Sequence, residues 1–133
     1  MFNWRTEYSV DIGSIDAQHR MLFAIADELY TAMTAGQSRT VLDRILYRLV
    51  QYTKVHFAHE ERLMQLHGYP EFQKHKGEHD ALTTKVLTFQ RDFQAGKVNM
   101  SVQLLQFLRG WLVEHIQGSD HRYTPFLKSK AVA

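Results

Sequence analysis

The 133-residue chain has no cysteine. That excludes disulfides, thiolate zinc sites, iron–sulfur clusters and a cysteine nucleophile. With two prolines and seven glycines, it has no linker, repeat array or low-complexity stretch. No segment is apolar for long enough to span a bilayer, so no membrane insertion is expected. The N-terminal "MFNWRTEYSVDIG" carries acids and no long apolar run, unlike a secretory signal; the expected location is cytoplasmic. Charge of one sign is also missing. The formal net charge is +2, with bases and acids interleaved, and no basic block exists to track phosphates, so nucleic acid is not an expected partner.

What the chain does have is histidine, eight of them. Five fall within periodic apolar stripes. Ile15, His19, Leu22, Ala26, Leu29 and Met33 alternate steps of four and three. So do Leu42, Leu46, Leu49, Thr53, His56, Glu60 and Leu63. A third stripe runs Phe72, His75, His79, Leu82, Val86, Phe89, Phe93, and a fourth runs Leu104, Leu108, Trp111, His115. This period marks helices with one face toward a core. Gly36, Gly68, Gly96 and Gly118 fall where helices would close. Asp16, Ser38 or Thr40, and Ser101 suit N-caps, and Pro70 suits a first helical turn. The short connections make successive helices antiparallel neighbours.

The expected fold is therefore all-α. It is a single domain built as an up-down-up-down antiparallel four-helix bundle, with helices over about 17–35, 40–66, 71–95 and 101–117. An extended N-terminal arm, 1–15, is pinned by Trp4, Tyr8 and Ile12, and a short helical tail ends the chain. In such a bundle the starts of odd helices and the ends of even helices share one level. His19, His56, Glu60, His75, His79 and His115 therefore converge there.

Residues four apart on a helix differ by about 40° in direction and about 6 Å along the axis. His75 and His79 thus face one way, as do His56 and Glu60. Glu61 points about 140° from His56 and is expected in solvent. Burying so many imidazoles and a carboxylate without partners is costly, and coordination removes that cost. Nitrogen and carboxylate donors without thiolate suit iron, zinc, copper or manganese. Six inward donors are too many for one tetrahedral zinc, so two bridged ions fit better. Asp120, five residues after His115, lies about 140° off the face of a regular helix. It joins the set only if the backbone between Ile116 and Asp120 is irregular, for example through a π-type turn, which Gly118 permits. Otherwise Asp120 caps the tail.

Quieter readings suit the remaining candidates. His59 sits at the stripe's edge, His67 in a loop facing solvent, and His121 points outward. Tyr123 either hydrogen-bonds near the site or packs the tail.

"IDAQH", "HFAHEE", "HKGEH" and "HIQGSDHRY", in this order and with consistent polarity, resemble the hemerythrins, specifically the single-domain bacterial kind. The resemblance spans nearly the whole chain and implies a non-haem di-iron centre that binds dioxygen reversibly. By that resemblance His75, His79 and His115 hold one iron, and His19 and His56 hold the other. Glu60, Asp120 and an oxo or hydroxo group bridge the two ions, which cycle between Fe2+ and Fe3+. One coordination position stays open, on the ion with two histidines. Phe57, Trp111, Leu112 and Ile116 are candidates for an apolar dioxygen pocket. The implied role is an oxygen carrier or store rather than an enzyme, with an oxygen-consuming enzyme as the recipient; with no evident exposed apolar stripe in the sequence, a monomer is expected. Oxygen or redox sensing, peroxide or nitric oxide turnover, and iron handling at the same site are the alternatives.

Overall fold

The computed structural model describes residues 1–133. It is all-α, with four main helices: α1 (Gly13–Thr34), α2 (Arg39–Leu66), α3 (Phe72–Gln94) and α4 (Val102–Glu114). A π-helical turn, His115–Asp120, joins α4 to a short α5 (His121–Ser129). No helix is long and apolar enough to cross a membrane.

The stripes become the core. Ile15, Leu22, Ala26 and Leu29 of α1 meet Leu42, Leu46 and Leu49 of α2, all buried. The α4 stripe is rotated from its expected setting. Leu105, Leu108 and Leu112 are buried while Leu104 and Trp111 are half-buried, because both flanks of α4 carry apolar residues and packing selects between them. Among all four helices lies an apolar cavity of about 280 Å³, lined by Leu22 and Leu29 of α1, Leu49 of α2, Leu82 and Phe89 of α3 and Leu108 of α4 among others.

Gly36, Gly68 and Gly96 close α1, α2 and α3 with φ near +70°. After each glycine the next N–H reaches back five residues, as in Tyr69 N–H to the Met64 carbonyl, 2.8 Å. Ser38 and Ser101 cap α2 and α4 through their hydroxyls. Pro70 lies in the turn before α3 rather than inside its first turn. Gly118 closes nothing, being inside the π turn.

The N-terminal arm is shorter than expected, because α1 begins at Gly13 and Asp16 is not its cap. Instead Asp16 accepts from the Val10 N–H (2.8 Å) and the Ser9 hydroxyl (2.5 Å), tying the arm to the helix. Tyr8 and Ile12 are buried, and Trp4 packs edge-on against Tyr8 and Phe23, 5.7 Å between ring centroids in both cases.

Candidate metal centre

The π turn decides the composition of the site. Its wider hydrogen bonding puts Asp120 on the same inner face as His115 despite the five-residue spacing. Glycine is not what makes it possible, since Gly118 has an ordinary φ and room for a Cβ. The turn runs straight into α5, where Pro125 contributes no N–H to the ladder and the Thr124 hydroxyl bonds the Asp120 carbonyl at 3.2 Å.

Two buried ligand sets result. His75, His79, His115 and Asp120 form one, and His19, His56 and Glu60 form the other. The carboxylates lie between them. Asp120 Oδ1 faces His75 Nε2 (2.9 Å) and His115 Nε2 (3.2 Å), while its Oδ2 faces His19 Nε2 (3.1 Å). Glu60 Oε1 is 2.5 Å from His56 Nε2, 3.9 Å from His19 Nε2 and 3.8 Å from His79 Nε2. Glu60 and Asp120 are both fully buried.

These atoms crowd together without bonding. Both ring nitrogens of His19, Nε2 of His75, Oε1 of Glu60 and both oxygens of Asp120 are buried with no hydrogen-bond partner. Leaving that many polar atoms unsatisfied is costly in a folded interior. Their spacing matches the edges of a coordination shell, since adjacent ligands at about 2.1 Å from an octahedral ion are about 3 Å apart. The residues therefore fit a pair of cations.

The outward nitrogens are held by side chains from neighbouring turns. His56 Nδ1–H donates to Gln18 Oε1 (2.8 Å), His79 Nδ1–H to Glu61 Oε2 (2.9 Å) and His115 Nδ1–H to Glu78 Oε2 (3.0 Å). Each partner atom only accepts, so Nδ1 carries the hydrogen and the Nε2 lone pair points inward. The Ser119 hydroxyl also donates to Glu78.

Aromatic side chains close the flank. Phe57 stacks on His79 (3.8 Å, 4° between planes) and Trp111 on His115 (4.4 Å, 15°). Leu112 and Ile116 are buried. Behind the site the buried Tyr123 donates its hydroxyl to Glu60 Oε2 at 2.6 Å.

Electrostatics without a metal follow the same geometry. Burial alone would lower the His19 pKa, but Asp120 and Glu60 outweigh it and raise it to about 9. Burial also opposes ionisation of both carboxylates, yet the surrounding imidazoles hold them below their usual range. Burial and the neighbouring His115 and His75 push His79 down; burial would lower His115 too, but Asp120 and Glu60 outweigh it and raise that group. The Nε2 atoms of His79 and His115 are only 3.0 Å apart.

The hemerythrin family model, described as "Hemerythrin HHE cation binding domain", matches residues 10–127. The chain belongs to the hemerythrin family. It is 34% identical over 123 residues to a bacteriohemerythrin of Methylococcus capsulatus, covering 92% of this chain and 93% of that one. A bacteriohemerythrin of Stenotrophomonas maltophilia is 35% identical over 126 residues, covering 95% and 81%. A crystal structure of wild-type hemerythrin superposes with a TM-score of 0.90 at 34% identity, covering 94% of this chain and 96% of that one. The two ligand sets, with carboxylates between them, match the di-iron site of a hemerythrin.

Several side chains around this hemerythrin centre differ from expectation. Glu61 is not solvated. Turning about 100° beyond Glu60 points it at the seam with α3, where its long side chain meets His79. His121 does not point outward, because its Nε2 meets the Ser9 carbonyl at 2.9 Å and anchors the arm. His59 lies 3.3 Å from the Ser14 hydroxyl, and His67 is half-buried at the end of α2. Helical periodicity assigns no role to Glu78, Gln18 or Ser119. Their only signal was position next to or near ligand histidines in "HKGEH", "IDAQH" and "HIQGSD".

Proposed function

We propose that the chain binds dioxygen reversibly at a non-haem di-iron centre, as a carrier or store rather than a catalyst. His75, His79 and His115 would hold one iron and His19 and His56 the other, with Glu60 and Asp120 shared. The carrying observation is the pair of buried ligand sets whose unpartnered lone pairs face a common interior. When bound, two irons would supply reversible electron exchange with dioxygen, and the smaller donor set, with two histidines against three, is the one that would leave room for it.

The protein's own residues favour reversibility. Five imidazoles and two carboxylates keep the pair less negative than a carboxylate-rich site would, which disfavours the high-valent states that split O–O bonds. Phe57, Trp111, Leu112 and Ile116 supply an apolar flank that excludes water from the ligand. Tyr123 and the Nδ1 partners fix ligand rotamers, so binding and release require little reorganisation.

The finer reading is a monomer in the cytoplasm handing oxygen to an oxygen-consuming enzyme. Tyr47, Val55 and Leu66, exposed on α2, are separated by two or more turns rather than forming a continuous face. The deciding experiment is anaerobic reduction of iron-loaded protein, then air titration with spectrum and iron content recorded. A carrier gains visible bands that disappear reversibly under vacuum at two irons per chain. Sustained turnover of peroxide or nitric oxide would mark an enzyme, and easily surrendered or excess iron would mark cargo.

A further inference from the structure

The outer partners of the ligand histidines are not equivalent. Two of the three histidines in the larger set donate to carboxylates, His79 to Glu61 and His115 to Glu78. In the smaller set His56 donates to the neutral amide oxygen of Gln18, and the buried His19 Nδ1 has no partner. A carboxylate on Nδ1–H makes the opposite nitrogen a stronger donor than an amide does, and partners of this kind change metal affinity by about 10–100-fold.

We propose that these partners rank the two ions: Glu61 and Glu78 lock the three-histidine ion, whereas Gln18 keeps the two-histidine ion exchangeable. This rests on the two-metal reading above. Ligand number favours the same order, but the partners' share is separable because replacing them leaves all seven ligands in place. Gln18, Glu61 and Glu78 are thus positioning residues. The more weakly held ion would also be the one with fewer histidines, so the weaker donors lie where an incoming ligand would bind and leave.

The test uses the full metal-free chain titrated with Co2+, followed by chelator competition with bound metal measured by elemental analysis. Wild type is expected to take up two ions and lose them in two steps, and His56→Ala to remove only the weaker step. Glu61→Gln and Glu78→Gln should each loosen the tighter step by about 10–100-fold and leave the weaker one in place. Gln18→Glu should tighten the weaker step by a similar factor. Melting of the metal-free variants provides the control, since a purely structural role for Glu61 would lower that temperature and loosen both steps together. Such a joint shift, or an unmoved weaker step in Gln18→Glu, overturns the ranking. Wild type binding fewer than two ions would instead overturn the two-metal reading itself.

Discussion

Tyr123 and Glu60, 63 positions apart in sequence, meet in the interior through a 2.6 Å hydrogen bond from the phenol to Oε2. Burial and the adjacent carboxylates of Glu60 and Asp120 push the phenol's pKa well above its usual value, so it remains a donor at any ordinary pH. The bond sets the rotation of the carboxylate while leaving Oε1 facing the histidines.

Tyr123→Phe should therefore cost the metal-free protein about 1.5–3 kcal/mol, the range for a lost hydrogen bond to a charged group. Denaturant unfolding would measure it. Metal retention should fall by about tenfold with both ions still bound at saturation. Unchanged stability and retention would mean that Glu60 is oriented by its histidines alone.

The metal-free protein should lose stability as pH rises from 6.5 to about 9. His19 binds its proton more tightly folded than unfolded, so its contribution is complete below 6.5 and gone above about 9. His115 acts in the same direction. On the acid side, His79 resists protonation, which erodes stability below 6.5. Glu60 and Asp120 then lose theirs as pH falls from the ordinary carboxylate range through their lowered values. Melting curves in chelator should show this maximum. Metal-loaded protein should be flatter between pH 6.5 and 9, because cations replace the protons, and metal uptake near pH 7.5 should release protons detectable by calorimetry in different buffers.

Removing the aromatic flank should shorten the life of the oxygenated form. Trp111→Ala uncovers His115, and Phe57→Ala uncovers His79. Both should raise the autoxidation rate several-fold by admitting water, read as decay of the visible bands in air. A rate equal to wild type in both variants would remove these residues from the dioxygen pocket.

Two glycine substitutions should diverge. Gly68→Ala forces a side chain onto φ +72° and should cost about 1 kcal/mol or more. Gly118→Ala meets open space at an ordinary φ and should be neutral or stabilising by up to about 1 kcal/mol. If Gly118→Ala instead abolished metal binding, the π turn would depend on glycine after all.

Asp16→Ala should free the arm. It strands the buried Val10 N–H and removes the Ser9 contact, a loss of about 1–3 kcal/mol. Limited proteolysis should then cut within residues 1–12 while α1–α4 stay intact by circular dichroism.

Much was legible in the chain order of residues. Helical periodicity is local, and a residue's place in a repeating stripe fixes which way it faces. His19, His56, Glu60, His75, His79 and His115 could thus be assigned to one face and one level before any contact was known. Asp120 was legible only conditionally, through the mismatch between its five-residue spacing and a regular helix. The pairing of Glu61 with His79, of Glu78 with His115 and of Tyr123 with Glu60 was decided only in three dimensions. So were the rotated face of α4 and the role of Asp16 as an anchor for the arm. Each depends on axial offset and rotation between packed helices, and on how far a flexible side chain reaches across a seam. Those are properties of the assembled bundle, and no spacing along a single helix encodes them.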